Sequence, residues 1–177
     1  MKTIALATTM TIAMSLLNPA WAVNPGACRG VTADTLSDQE KADMAFMREE
    51  EKMARDLYTV FREKYRDRIF GNIARSEQKH MDAILQLLKA YSQPDPVQPG
   101  LGQFSNQEIT ELYNQLYTRG MKSRLEAYKV GVEVEKTDIA DLGRALSASD
   151  ERCLDKTYLN LLQASKNHLR VFSAKSK

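Results

Sequence analysis

The chain has 177 residues, of which 43% are apolar and 27% charged, the proportions of a soluble globular protein with enough apolar material for one hydrophobic core. Its net charge of +2 comes from 25 basic and 23 acidic residues spread along the sequence, and the lack of a basic block argues against nucleic acid or an anionic membrane as principal partner. The only two cysteines, Cys28 and Cys153, lie far apart, which excludes zinc-ribbon and iron–sulfur modules built from clustered thiolates.

The first segment reads as a targeting signal. Lys2 precedes the apolar run "IALATTMTIAMSLL", and "NPAWA" offers small residues for cleavage after Ala22. The run is too short to span a bilayer, so residues 1–22 are expected to be removed as a signal peptide, with no integral membrane segment after them. A periplasmic or secreted mature chain would then begin at Val23. "NPGAC" lacks the upstream leucine expected of a lipid anchor at Cys28. Residues 23–35 read as a tail and 36–173 as a helical domain. In an oxidising compartment, the even pair Cys28 and Cys153 is expected to form a disulfide.

Ser37 followed by Glu40 is a capping-box signal, and a long helical pattern runs from there to about Asp67. A second runs from about Ile69 to Tyr91. "SQPDPVQPGLGQ" then breaks the chain with three prolines and two glycines in twelve residues. "SNQEITELYNQLYTRG" is a shorter helix closed by Gly120. A third long pattern spans about Met121 to Leu146, with a bend or new cap suggested at Thr137–Asp138. "SASDERC" opens the last, which reaches about Phe172. No strand alternation or internal repeat is present. Four long helices and one short one predict an all-α, four-helix bundle.

Each long helix has an apolar stripe interrupted near its middle by a polar group. The first carries Met44, Met47, Glu51, Ala54, Tyr58 and Phe61, and the second Ile73, Glu77, His80, Ile84 and Leu87. The third carries Leu125, Tyr128, Val132, Glu135, Ile139 and Leu142, and the fourth Leu154, Tyr158, Leu161, Ser165, His168 and Phe172. All keep the alternating three- and four-residue spacing of a buried face. An unpaired charge there costs several kcal/mol, so a single such residue is usually solvated or hydrogen-bonded. Interruptions on all the long helices, with both histidines of the chain among them, instead suggest a bound cation. A hydrogen-bonded polar network is the competing account. Glu77 and His80, three residues apart, can reach one ion together. Mixed oxygen and nitrogen ligation suits iron, manganese or zinc and disfavours calcium.

Two phrases resemble rubrerythrins: "EKMARDLY" (Glu51 to Tyr58) is similar to their first-helix motif, and "IARSEQKH" (Ile73 to His80) to their second. The order Glu, E-x-x-H, Glu and a final histidine helix resembles the ferritin-like di-iron carboxylate pattern. More closely, the span from Leu36 to Phe172 resembles a bacterial family of ferritin-like domains without assigned function. The shared phrases are "FMREEEKMARDLY", "SEQKHMDA", "DIADL" and "NHLRVF".

That resemblance implies Glu51 and His80 as ligands of one metal, Glu135 and His168 as ligands of a second, and Glu77 as the bridge. Ser165 stands where the pattern has a second bridging Glu, with Asp138 as a substitute and Gly131 leaving room nearby. One tight ion with a weak or absent second, and a full dinuclear centre, both remain open. Tyr58 could hydrogen-bond a ligand or carry an electron. Met44, Met47 and Met53 read as core filling rather than copper ligands. Glu49 and Glu50 read as solvated, with Glu50 the alternative ligand if the first helix is rotated.

The leading functional expectation is an exported ferritin-like metal-binding protein with oxygen or peroxide chemistry at iron. A non-enzymatic metal-binding or stress-related protein and a metal-free interaction domain are the alternatives, and a homo-oligomer is compatible with each. Intact-mass analysis of the exported protein, alkylated without reduction, should show a chain beginning at Val23 with no alkylated cysteine. Two alkylated cysteines would refute the Cys28–Cys153 bridge.

Overall fold

The computed structural model describes residues 36–177; the expected signal peptide, the tail and Cys28 lie outside the described residues. Ser37 starts the first helix through a reciprocal capping box. Its hydroxyl accepts from Glu40 N–H at 3.2 Å, while its own N–H donates to the Glu40 carboxylate at 2.8 Å. This helix, α1 (Asp38–Tyr65), ends where Arg66 turns left-handed at φ 54°. Asp67 then caps α2 (Arg68–Ala90) by accepting from Ile69 N–H at 3.0 Å, so α1 and α2 form a tight antiparallel hairpin. After the proline segment come α3 (Gln107–Gly120), α4 (Arg124–Ala148) and α5 (Arg152–Lys175), with no strand among the described residues. No helix of the described residues is long and apolar enough to cross a membrane.

The bundle is two hairpins, α1/α2 and α4/α5, laid against each other mainly along α1 and α4, with α3 packed on those same two helices. Three contacts set the α1/α4 register: Ser149 donates to Glu40, Tyr58 to Glu135 and Tyr128 to Asp67. As one sequence number rises the other falls, so α1 and α4 are antiparallel. Two apolar clusters result. One holds Tyr58, Phe61, Phe70, Tyr128 and Phe172; the other holds Met44, Met47, Ile84, Leu87, Leu142 and Leu161. Every long helix contributes to both, so its polar interruption falls in the layer between them. The methionines behave as packing residues, split between the clusters.

Several expectations for individual residues are corrected. α4 is one continuous helix, and Asp138 does not recap it but points into the bundle, 5% exposed. The buried stripe of α4 is rotated from the expected one. Ala127, Val134 and Asp138 face inward, Val132 and Ile139 are only partly covered, and Leu125 is 42% exposed. The room at Gly131 serves packing: a Cβ there would lie 2.7 Å from the Phe172 ring, so the glycine lets that ring rest on α4.

The largest correction concerns the outer face of α1. Glu49 and Glu50, expected in solvent, are both buried: the proline segment folds over Glu49, and α4 packs against Glu50. Glu49 accepts from the backbone N–H groups of Ser105 and Asn106 at 2.6 and 2.8 Å, just before α3. Arg48 makes a two-pronged pair with Asp95. Lys52, wholly buried, donates to Asp56 at 2.6 Å and to the Gly100 carbonyl at 2.7 Å, and lies 4.6 Å from the centre of the Phe104 ring. Asp56 also accepts from Gly102 N–H at 2.9 Å. Breaking a buried pair from one side leaves a stranded charge. Asp56→Ala should therefore lower stability by about 3–5 kcal/mol in urea unfolding, and adding Lys52→Met should recover most of that loss.

Candidate metal centre

Between the two apolar clusters, the four long helices bring five of the expected groups into one buried volume. α1 supplies Glu51, α2 supplies Glu77 and His80, α4 supplies Glu135, and α5 supplies His168. They fall into two triads, Glu51–Glu77–His80 and Glu77–Glu135–His168, and in each the ligand atoms lie within 4.8 Å of one another. Glu77 belongs to both. Its Oε2 lies 2.7 Å from His80 Nδ1, and its Oε1 lies 2.9 Å from His168 Nδ1. The carboxylate thus offers one oxygen to each half of the site. Glu51 Oε2 flanks His80 Nδ1 at 3.1 Å, and Glu135 Oε2 stands 3.5 Å from His168 Nδ1. The imidazoles face each other with centroids 5.7 Å apart and planes 23° from parallel.

Each imidazole directs a single nitrogen at two carboxylates, although one N–H can fully satisfy only one of them. Glu51 Oε1 and Asp138 Oδ1 are buried without a hydrogen-bond partner among the described residues. Orphaned carboxylate oxygens beside imidazole nitrogens form the donor set of a divalent transition metal, and these residues fit such an ion. Tyr58, fully buried, donates its hydroxyl to Glu135 Oε1 at 2.8 Å, which leaves Oε2 toward His168.

Ser165 is fully buried on α5, but its hydroxyl donates back to the Leu161 carbonyl at 3.0 Å. Asp138 comes across from α4 within hydrogen-bonding reach of that serine, and its charge is felt beside Glu51, Glu135 and Glu77. It lies beside the ligand groups but belongs to neither triad. Glu50, read from the sequence as solvated with a ligand role only if α1 were rotated, is buried among the charges of Asp138, Asp141 and Glu51. The run "EEE" conceals it, because three successive carboxylates on a helix normally mark a solvated edge. On the α2/α5 side a cavity of about 180 Å³ reaches His80 and is lined by Ser76, Ala83, Leu161 and Ala164.

Burial pushes Glu51 up to about 7, with His80 opposing and Glu77 reinforcing the rise. Burial and then the Glu77 charge push Glu135 up to about 7. Burial alone would raise Glu77 as well, but His80 and His168 outweigh it and hold the group down at about 2. Burial favours neutral His168, yet Glu135 and Glu77 outweigh it and raise the imidazole to about 10. His80 is likewise raised against its burial, by Glu51 and Glu77. Burial, then Glu135, raises the Tyr58 phenol well above its ordinary value, so it stays a donor.

These shifts give the metal-free protein a pH profile. Glu51 and Glu135 titrate higher folded than unfolded, so their contribution is full below about 4.5 and is lost as pH rises through about 7. His168 loses its contribution as pH rises further, toward about 10. Glu77 acts oppositely, and its contribution is lost as pH falls from about 4.5 toward 2. Metal-free protein should thus melt highest in the mildly acidic range and lose stability steadily toward pH 9. A bound divalent ion should flatten that decline, because ligands must shed protons to bind it. Thermal melts across pH, with chelator and with added metal, measure both.

Residues 40–176 match the family model described as Uncharacterized protein domain (DUF2202). An uncharacterized protein of Methanocaldococcus jannaschii, MJ0754, is 46% identical over 138 residues, which cover 77% of this chain and 75% of that protein. The crystal structure of hypothetical protein MJ0754 from Methanococcus jannaschii DSM 2661 superposes with a TM-score of 0.78 at 44% identity. That match covers 80% of this chain and 81% of the other. With a family model spanning most of its length and a relative of this identity sharing its fold, the chain belongs to the DUF2202 domain family.

Proposed function

We propose that this protein is an exported, ferritin-like metal-binding protein that holds a pair of divalent ions in the bundle core. Iron is the first choice, with manganese or zinc as the alternatives. The observation that carries the reading is Glu77, whose two oxygens address two different histidines from one buried position. Glu51 and His80 would hold one ion and Glu135 and His168 the other, with Glu77 between them. Asp138, buried beside the triads though in neither, would add a fourth carboxylate, so that with Glu51, Glu77 and Glu135 it balances two divalent ions while the imidazoles stay neutral.

Bound iron would supply redox chemistry toward oxygen or peroxide. The chain's own residues do the rest. The apolar clusters above and below exclude water, Tyr58 keeps Glu135 oriented through its hydroxyl, and the α2/α5 cavity admits a small neutral molecule to the His80 side. With iron bound and reactive toward oxygen or peroxide, the protein would be an oxidoreductase of the di-iron carboxylate type. The second reading is a non-enzymatic metal protein, favoured by Ser165, which leaves the α5 position without the carboxylate that such oxidases use. Consumption of peroxide or oxygen by the ferrous-loaded protein separates the two.

Titration of metal-free protein with ferrous iron or manganese under anaerobic conditions should reach about two ions per chain. Glu77→Ala should abolish tight binding, since it removes a ligand from both triads. Asp138→Asn should lower the count to about one, and Ser165→Ala should change little. A parent protein that takes up neither ion overturns the proposal.

A further inference from the structure

One buried carboxylate is left over once the centre is assigned. Glu50 is 2% exposed, and its Oε2 has no hydrogen-bond partner among the described residues. It lies on the α1/α4 seam between Asp141, with which it is within hydrogen-bonding reach, and Asp138, whose Oδ1 is also orphaned. The nearby cation, Arg144, is engaged with Asp141. Among the described residues no cation makes direct ion-pair contact with Glu50, and an orphaned oxygen among buried acidic groups lowers stability.

The seam opens outward. Over it lies a depression of about 760 Å³ whose lining includes Asp43, Glu49, Glu108 and Asp141 against a single cation, Arg144. Asp141 belongs both to this lining and to the surroundings of Glu50. Glu50 in turn neighbours Glu51 and Asp138, and Asp138 neighbours Glu51 and Glu135. Carboxyl groups thus succeed one another along the α1/α4 seam from the surface to the ligands. Such an arrangement concentrates cations at its mouth and offers successive oxygens inward. The Glu50 set lacks the tight convergence of the two triads, which suits a place of passage better than one of residence.

We propose that Glu50, with Asp141 at its outer side and Asp138 at its inner side, is a transit site that passes a divalent cation from the α1/α4 depression to the metal centre. The proposal rests on the metal reading of that centre. It separates two approaches: cations enter by the acidic α1/α4 seam, and small neutral molecules by the α2/α5 cavity.

The test uses cobalt(II) as probe, mixed rapidly with metal-free full-length protein and followed by its visible absorption. Glu50→Gln and Asp141→Asn should each slow loading about tenfold while reaching the same final cobalt content. Glu63→Gln, which removes the same charge from an exposed site near the far end of α1, should load like the parent. A parent rate in Glu50→Gln overturns the transit role, and so does a lower final content, which would make Glu50 a resident ligand. Thermal melting of the metal-free variants gives a second readout. Glu50→Gln should melt no lower than the parent, because it removes an acidic group from among buried carboxyls and keeps its shape; a lower melting point would mark Glu50 as structural and overturn the proposal. If the parent itself takes up no cobalt, the metal reading fails, a result distinct from any change in rate.

Discussion

The rest of this structure depends on one carboxylate, that of Glu77, held 2% exposed between two imidazoles. A buried charge survives only when it is paired, and Glu77 is paired twice, once through each oxygen. That demand sets the relation of the helices. His80 comes from its own helix three residues on, but His168 must be delivered by α5, which requires the α4/α5 hairpin to lie at one height against α1/α2. Glu51 and Glu135 then fall on either side, each beside one histidine. The two apolar clusters act as walls above and below this layer, and their low polarity makes every charge between them strongly coupled to its neighbours.

α1 bears an unusual load because it is buried on two sides. Its inner face carries Glu51 into the centre, while its outer face carries Arg48, Glu49, Lys52 and Asp56 into the proline segment. The two faces are chemically opposite in logic. Outside, each charge has a partner in the same chain, and together they hold an irregular segment in place. Inside, Glu50, Glu51 and Asp138 retain oxygens with no partner among the described residues.

Kinship with the M. jannaschii protein extends over most of both chains, so the fold is shared rather than assembled from short motifs. The phrases that carry the family resemblance are also the segments that build the centre. "EEEKMARDLY" contains Glu50, Glu51 and Tyr58, and "SEQKH" contains Glu77 and His80. Asp138 and Asp141 share "DIADL", and His168 opens "HLRVF".

Much of the fold and of the site was readable along the chain. Helix starts followed from local chemistry, since Ser37 with Glu40 satisfies backbone donors whatever lies elsewhere. The inward positions of Glu51, Glu77, His80 and Glu135 followed from helical period, because residues three and four apart share a face and these sit among residues that must be buried. Period fails where a helix has more than one covered face. Glu49 reads as solvent-facing until the proline segment is seen to fold over it, and Glu50 until α4 is seen beside it; long-range contacts of that kind leave no local trace. Leu125 read as buried until α4 proved to be rotated so that Asp138 faces inward. Local spacing by itself determined which residues share a stripe. Only tertiary packing decided which stripe faces which, that Asp138 is buried near Glu51 and Glu135, and that Glu50 lies beside it, because a side chain's burial depends on what the other helices place against it.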